Sequence, residues 1–545
     1  MSVLLFKGVA RWIDRNILDL TRELRLSFLP PLMVYMAYGI SGLTTIVGTF
    51  FVKEYLGLSA EFIAALAFWA NIPWALKMPI GHLVDLLWRW KALLVVLGAG
   101  LLASSLLIMI GLIGYTEFMR ELMPVEAWYV LSVLLLPIGY VIQDVVADAM
   151  TVEAVPRTEA DGTPIGDDTL KRMHTTMQTL GRVAIVGGNI AVGLVNLYMF
   201  AGVENMPSES KAHVYHEIYA LALIIPAISV LGVGLAAALK VRDARRLKAQ
   251  GFSQARIREL LDGKDPAPPP NWGLLGGSLL FVVFTVSFGF SNLPYNQEII
   301  FAGSMGIVIF LMKRLTKVLE PQARYVLVGT AVVIFVFRAV PTPGAASTWW
   351  MIDQLGFDQH FLAVLSLIGS TLALVGMFLF RRFMAVKSIA YMVGFLTVAS
   401  SLLNLPAIGM YYGLHEWTAA HTGGVVDARF ISLIDTALES PLGQVAMIPM
   451  LAWIANSAPH GYKATFFAVM ASFVNLALSL SQLGTKYLNQ IFTVTREVKD
   501  LVTGAVTVNA DYSELGTLLI VANVATFLLP MVAIVLVKMT RLRTA

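Results

Sequence analysis

The chain contains no cysteine, so disulfides, thiolate metal sites and thiol nucleophiles are excluded. It is also poor in charge: Asp, Glu, Lys and Arg make up 14% of its 545 residues, against roughly 25% in soluble proteins. No histidines pair at metal-ligand spacing, and no phosphate-cradling loop or nucleophile–base arrangement stands out. Enzymatic chemistry therefore has no support, and neither a metal nor a cofactor is expected. A cleaved leader is not expected either, because Lys7 breaks the first apolar run and no small-residue cleavage site follows.

What fills the chain instead is apolar sequence. Hydrophobic residues make up 57%, and the mean hydropathy is +0.73. Runs of about 18 or more apolar residues recur along nearly the whole length, the pattern of a polytopic, all-α membrane protein. Expected spans are 28–52, 61–80, 92–114, 127–149, 175–200, 216–239, 273–290, 298–312, 325–343, 361–380, 386–408, 430–455, 466–492 and 517–538, fourteen in all.

The excess of basic residues, net +4, follows from membrane sidedness and implies no nucleic acid. Arg242, Arg245, Arg246 and Lys248, then Lys313 and Arg314, then Arg381 and Arg382, then Lys538, Arg541 and Arg543 all fall in alternate connections. That asymmetry places both termini in the cytoplasm of a multi-pass plasma-membrane or bacterial inner-membrane protein. Residues 1–27 read as an interfacial amphipathic helix, with Phe6, Trp12, Ile13 and Ile17 on one face and Lys7, Arg11, Arg15 and Arg22 around the rest.

An internal repeat sets the architecture. YLGLSAEFIAAL (55–66) aligns with QLGFDQHFLAVL (354–365), and LASSLL (102–107) with VASSLL (398–403). Two parallel six-helix repeats are the signature of the major facilitator fold. The expected parts are a six-helix bundle at 28–240, a charged cytoplasmic linker at 241–272 and an inserted two-helix hairpin at 273–312. A second six-helix bundle follows at 325–540.

Ionisable groups inside a bilayer cost about 2.5 to 3.5 kcal/mol each at mid-depth, so they face partners or a wet path. Lys77, Arg182, Arg338 and Lys486 lie within the spans, as do Asp144, Asp148, Asp435 and Glu439, with Glu298 in the hairpin. Each acidic pair is spaced by four and shares one helix face. Asp144, Asp148 and Arg182 fall near the cytoplasmic surface, and Arg338, Asp435 and Glu439 nearer the outside. A carboxylate in a low-dielectric cleft exchanges protons closer to neutral pH than in water, and an arginine opposite can hold an anion. Static ion pairs clamping helices are the alternative reading of the same residues. Tyr35, Tyr38, Trp69 and Trp74, with Asn71, on the first two spans offer flat and polar surface to a planar heterocycle, although helix packing also uses such aromatics. Gly81-His82-Leu83-Val84-Asp85 with Arg89 looks like a degraded major-facilitator loop motif, in which Lys77 and Asp85 brace the loop.

Together these residues resemble the folate–biopterin transporter family of the major facilitator superfamily. The resemblance runs through Leu56, Gly57, Leu58 and Ser59, then Pro73, Trp74, Lys77, Gly81 and Asp85. It continues in QDVVADAMTVE, with Asp144, Asp148 and Glu153, and in APHGYKATFFAVMASFVNLA, with Pro459, Gly461, Thr465 and Asn475. Met78, Val84 and Lys463 depart from the family pattern and mark a divergent member. The resemblance implies proton-coupled uptake of a folate- or pterin-like anion by a monomer. Arg338 would hold the anion, Asp435 or Glu439 would carry the proton, and Asp144, Asp148 and Arg182 would form the inner gate. Two rival readings are a muropeptide or sugar-peptide permease of the same superfamily and a non-transporting assembly factor for pigments or lipids.

Overall fold

Inside a bilayer no water satisfies backbone N–H and C=O groups, so apolar runs of this length fold as helices that bond internally. The computed structural model describes residues 24–52, 58–75, 77, 80–81, 84, 87, 90–155, 165–262, 272–289, 293–317, 320–380, 383, 387–443, 445, 463–499, 506–540 and 542–544. Its principal helices are α1 (Leu29–Ile40), α2 (Thr45–Phe51), α3 (Ala60–Ala75), α4 (Lys91–Gly114), α5 (Val125–Ala154), α6 (Asp167–Met199), α7 (Ser208–Ala222) and α8 (Ile224–Ala249). They continue with α9 (Trp272–Gly289), α10 (Asn296–Thr316), α11 (Pro321–Arg338), α12 (Ala345–Leu355), α13 (Gln359–Leu379), α14 (Ile389–Leu403), α15 (Ala428–Glu439), α16 (Lys463–Ile491) and α17 (Leu515–Met539).

Among the described residues, nine helical segments are long and apolar enough to cross a membrane. Four other expected spans fall on α3, α9, α10 and α16, and the first part of the one expected at 430–455 falls on α15, its remainder from 446 lying outside the described residues. The interfacial helix expected at the N-terminus lies almost wholly outside the described residues, as do Asp85, His82 and Arg89.

Close helix approach rests on small residues. At the α4–α5 crossing, a Cβ on Gly98 would stand 2.8 Å from the Gly139 carbonyl oxygen, and one on Gly139 would stand 2.7 Å from that of Gly98. Further along the same pair, Ser105 Oγ donates to the Ser132 carbonyl at 2.8 Å and Ser132 Oγ donates back at 3.0 Å. A side chain at 139 must push backbone, not a flexible tip. Gly139→Leu is expected to destabilise by about 1–3 kcal/mol, the overpacking range, read as a lower melting temperature of the purified protein.

Two seams join the first set of helices to the second: α3 against α16, and α6 against α13. Which ends meet follows from packing. Phe28, opening α1, clusters with Val155 at the end of α5, and Ala75, closing α3, clusters with Leu327 and Val537. The start of α1 and the end of α17 therefore lie at one end of the bundle. At the far end one apolar cluster unites Phe50, Phe51 and Ile218 with Trp349, Phe357 and Leu515. Gln359 Nε2 also donates there to Tyr215 Oη at 2.6 Å. Among the described residues, the far end is closed.

The structure departs from the sequence expectation at two places. The span expected at 325–343 is helical only to Arg338; residues 339–344 are irregular, and α12 then resumes to Leu355. Pro341 and Pro343 lack N–H donors, and Gly344 sits at φ +70°. Polar groups of α16 satisfy the freed backbone. Ser481 Oγ donates to the Val340 carbonyl at 2.6 Å, Asn489 Nδ2 to the Pro343 carbonyl at 3.2 Å, and Thr342 N to Thr485 Oγ1 at 3.0 Å. Broken helices persist at membrane depth only with such help.

The second departure is a short antiparallel ribbon, β1 (Val498–Lys499) with β2 (Val506–Val508), in the connection from α16 to α17. At its base Arg496 is 3% exposed, and neither Nη atom has a hydrogen-bond partner. The guanidinium sits 5.0 Å from the Trp349 ring centroid, and burial lowers its pKa to about 10. A base whose folded pKa is depressed destabilises the fold while charged. That cost is present below pH 10 and fades as pH rises through it. The nearby Asp353 carboxylate offsets part of that cost and keeps its hydrogen bond from Tyr512. Arg496→Met is therefore expected to leave the fold intact and raise the melting temperature at pH 7 by removing a buried charge whose guanidinium ends are unbonded.

Candidate functional site

Four helices bring the charged groups of the first half together. Lys77, just past α3, reaches α5, where its Nζ lies 2.6 Å from Asp144 Oδ2 and 2.7 Å from Asp148 Oδ2. The lysine side chain is 17% exposed, so the pair is screened from water without being sealed off. From α1, Tyr35 Oη donates to Asp148 Oδ1 at 2.6 Å. Arg182 on α6 stands within Coulombic reach of Asp144, Tyr35 and Tyr38. The spacing of four in α5 places both carboxylates on the face that α1 and α3 cover. Two anions therefore surround one lysine, with a second cation beside them. The local charges balance.

An aromatic layer lies over this cluster. Tyr38 meets Trp74 edge-on at 5.8 Å between ring centroids and Tyr140 at 5.4 Å. Asn475 of α16 donates to the Trp74 carbonyl at 3.0 Å, so the layer touches the second half. Proline at 73 removes one backbone donor from α3.

The sequence reading joined Lys77 to Asp85 and gave the two aspartates to Arg182. The structure instead joins Lys77 to the aspartates, because its four-carbon stem spans the α3–α5 contact; Asp85 lies outside the described residues. Tyr140 was missed as a site residue, and Tyr35 was seen only as flat aromatic surface, not as the partner of Asp148. The only sequence signal for Tyr140 is that it sits on the same helix as a residue already suspected.

The second group does not assemble. Arg338 closes α11 at the break, with a buried Nε that has no hydrogen-bond partner. Asp435 and Glu439 lie one turn apart on α15; Asp435 Oδ1 is buried without a partner and Glu439 is exposed. No ion pair links Arg338 to either carboxylate among the described residues. Asn71 lies on α3 one turn before Trp74 and is half-buried. Glu298 and Lys486, read separately from sequence, form an ion pair at 3.4 Å, and Tyr487 Oη also donates to Glu298. This pair docks α10 on α16.

The model of the BT1 family matches residues 205–544. The chain belongs to the BT1 family. A folate-biopterin transporter of Synechocystis sp. (strain ATCC 27184 / PCC 6803 / Kazusa) is 23% identical over 452 residues, covering 83% of this chain and 72% of that protein. Among solved structures, the nucleoside transporter NupG superposes with a TM-score of 0.54 at 12% identity, covering 94% of this chain and 99% of that one. A POT family transporter in complex with 5-aminolevulinic acid superposes with a TM-score of 0.57 at 11% identity, covering 94% and 95%. These superpositions show the major facilitator fold. This BT1 family member is a multi-pass membrane transporter and not an enzyme.

Proposed function

We propose that this BT1 protein is a proton-coupled transporter of a folate- or pterin-like anion, with both termini in the cytoplasm. The observation that carries the reading is the Lys77–Asp144–Asp148 cluster, with Arg182 beside it and the Tyr38–Trp74–Tyr140 layer above it. Aromatic rings suit a planar heterocycle, and cations suit its carboxylate. A proton taken by either aspartate would loosen the hold on Lys77 and free that cation for the substrate. Uptake of anion and proton would then be linked through one set of residues.

In this reading Asp144, Asp148, Arg182 and Lys77 form the coupling gate on the cytoplasmic side, and Asp85 braces the loop below it. Trp74, Tyr38 and Asn71 contact the substrate along the path above the gate. Arg338 at the helix break receives the anion from the outside, with Asp435 and Glu439 as proton-accepting groups further along the path. The bundles at 28–240 and 325–540 rock against each other across the α3–α16 and α6–α13 seams, carrying the 273–312 hairpin on the second.

Uptake of radiolabelled folate and biopterin into proteoliposomes, with and without an inward proton gradient, tests the proposal. Saturable uptake stimulated by the gradient is expected. Uptake indifferent to the gradient removes the coupling, and no uptake of either compound removes the substrate class.

A further inference from the structure

Between the aromatic layer and the closed far end lies a cavity of about 320 Å3, within the range of small-molecule sites. It is bounded by Ser41 and Thr45 from the first span, Tyr129 and Ser132 of α5, Tyr219 of α7 and Trp349 of α12. Every described residue lining it is uncharged. We propose that this cavity holds an uncharged planar heterocyclic ring, as a subsite separate from the charged cluster. The proposal rests on the transport function proposed above and assigns one part of the substrate to one place.

The chemistry of the walls selects the occupant. Tyr129, Tyr219 and Trp349 supply flat apolar surface, the Ser41 and Thr45 hydroxyls can donate and accept, and Ser132, whose proton goes to the Ser105 carbonyl, can still accept. A charged group here would lose its hydration with no counter-charge to meet it, a heavy penalty. A neutral ring edged with N–H and C=O groups loses less and finds partners. Leu136, which also lines the cavity, stands eight residues before Asp144 on α5, so about 12 Å of helical rise separates the near edge of the cavity from the charged cluster. Ser41 stands between the two, lining the cavity one turn beyond Tyr38 of the aromatic layer. A substrate with a neutral ring and an acidic tail would lie along this line, ring toward the far end and acid toward Lys77 and Arg182.

Gly48 provides the test. It lines the cavity, and a Cβ built on it would meet only the Tyr219 hydroxyl, at 3.7 Å. Gly48→Leu therefore fills the space without pushing backbone, and Thr45→Val removes one hydroxyl at constant shape. Binding to the purified full-length protein is measured for two probes: biopterin, which is a ring without a carboxylate, and para-aminobenzoylglutamate, which is an acidic tail without the ring. Gly48→Leu is expected to weaken biopterin about tenfold or more, and Thr45→Val about threefold to tenfold, with para-aminobenzoylglutamate unchanged for both.

Unaltered biopterin affinity in a Gly48→Leu protein of normal melting temperature overturns the proposal and makes the cavity a solvent pocket. If Gly48→Leu does not fold, unaltered biopterin affinity in Thr45→Val overturns it. Equal weakening of both probes also overturns it, because ring and tail would then share a site. Failure of this kind leaves wild-type uptake intact, whereas a wild type that neither binds nor takes up either compound removes the proposed function itself.

Discussion

Lys77→Met is expected to abolish uptake and to lower the melting temperature more than any other single change in the membrane region. The lysine is the sole cation in ion-pair contact with Asp144 and Asp148 among the described residues. Removing it leaves Asp144, 14% exposed, and Asp148, 40% exposed, without their cation. Water screens the second, so the cost falls below the roughly 3–5 kcal/mol of breaking a fully buried pair from one side. Much of that loss comes from the abandoned anions and not from the pair itself. The double variant Lys77→Met with Asp144→Asn should therefore recover a large part of the stability. It should recover none of the uptake, because the charge that the proton controls is gone. Uptake assays and melting curves on the two variants separate these effects. A Lys77→Met protein that transports at the wild-type rate would show the cluster to be a passive clamp.

Arg338→Gln is expected to weaken substrate binding at least tenfold, about 1.4 kcal/mol or more, while expression and melting temperature stay near wild type. The guanidinium stands at the end of α11, where the backbone turns irregular, and its Nε has no hydrogen-bond partner. A neutral side chain there loses attraction for an anion but leaves no orphaned carboxylate behind, since no ion pair is broken. That asymmetry with Lys77 is the point of the comparison. Binding measured by scintillation proximity on purified protein checks it. Unchanged affinity with a collapse in stability would make Arg338 a helix-terminus brace, which a cation at a helix C-terminus can also be.

Much of the membrane topology was legible because long apolar runs have few alternatives in a bilayer. The span boundaries at Gly114, Leu379 and Met539 fall within a residue or two of the expected ends at 114, 380 and 538. The break after Arg338 was not legible. Pro341 and Pro343 read as the end of a span, and only the distant Ser481, Thr485 and Asn489 reveal that the helix resumes.

The candidate site divides in the same way. The spacing of Asp144 and Asp148 announced a shared face, because that is a local property of one helix. Their partner was hidden, because Lys77 lies 67 residues away in sequence. The reading reached for Asp85, which is nearer in sequence. Tyr35 is separated by 113 residues from the carboxylate it bonds, and nothing local marks it apart from other span aromatics. Packing between helices decides such contacts, and a single chain read in order does not contain it.

The cysteine-free background offers the most direct measurement of the central claim, that the charged cluster faces a hydrated path open to substrate. Asp148→Cys places one thiol where the native side chain is 40% exposed, while Asp144 still holds Lys77. A charged, membrane-impermeant thiol reagent is predicted to label this cysteine, and bound folate is predicted to slow the labelling. Reaction confined to an apolar, membrane-soluble maleimide and indifferent to folate would place the cluster against lipid or in a dry core, and would contradict the account.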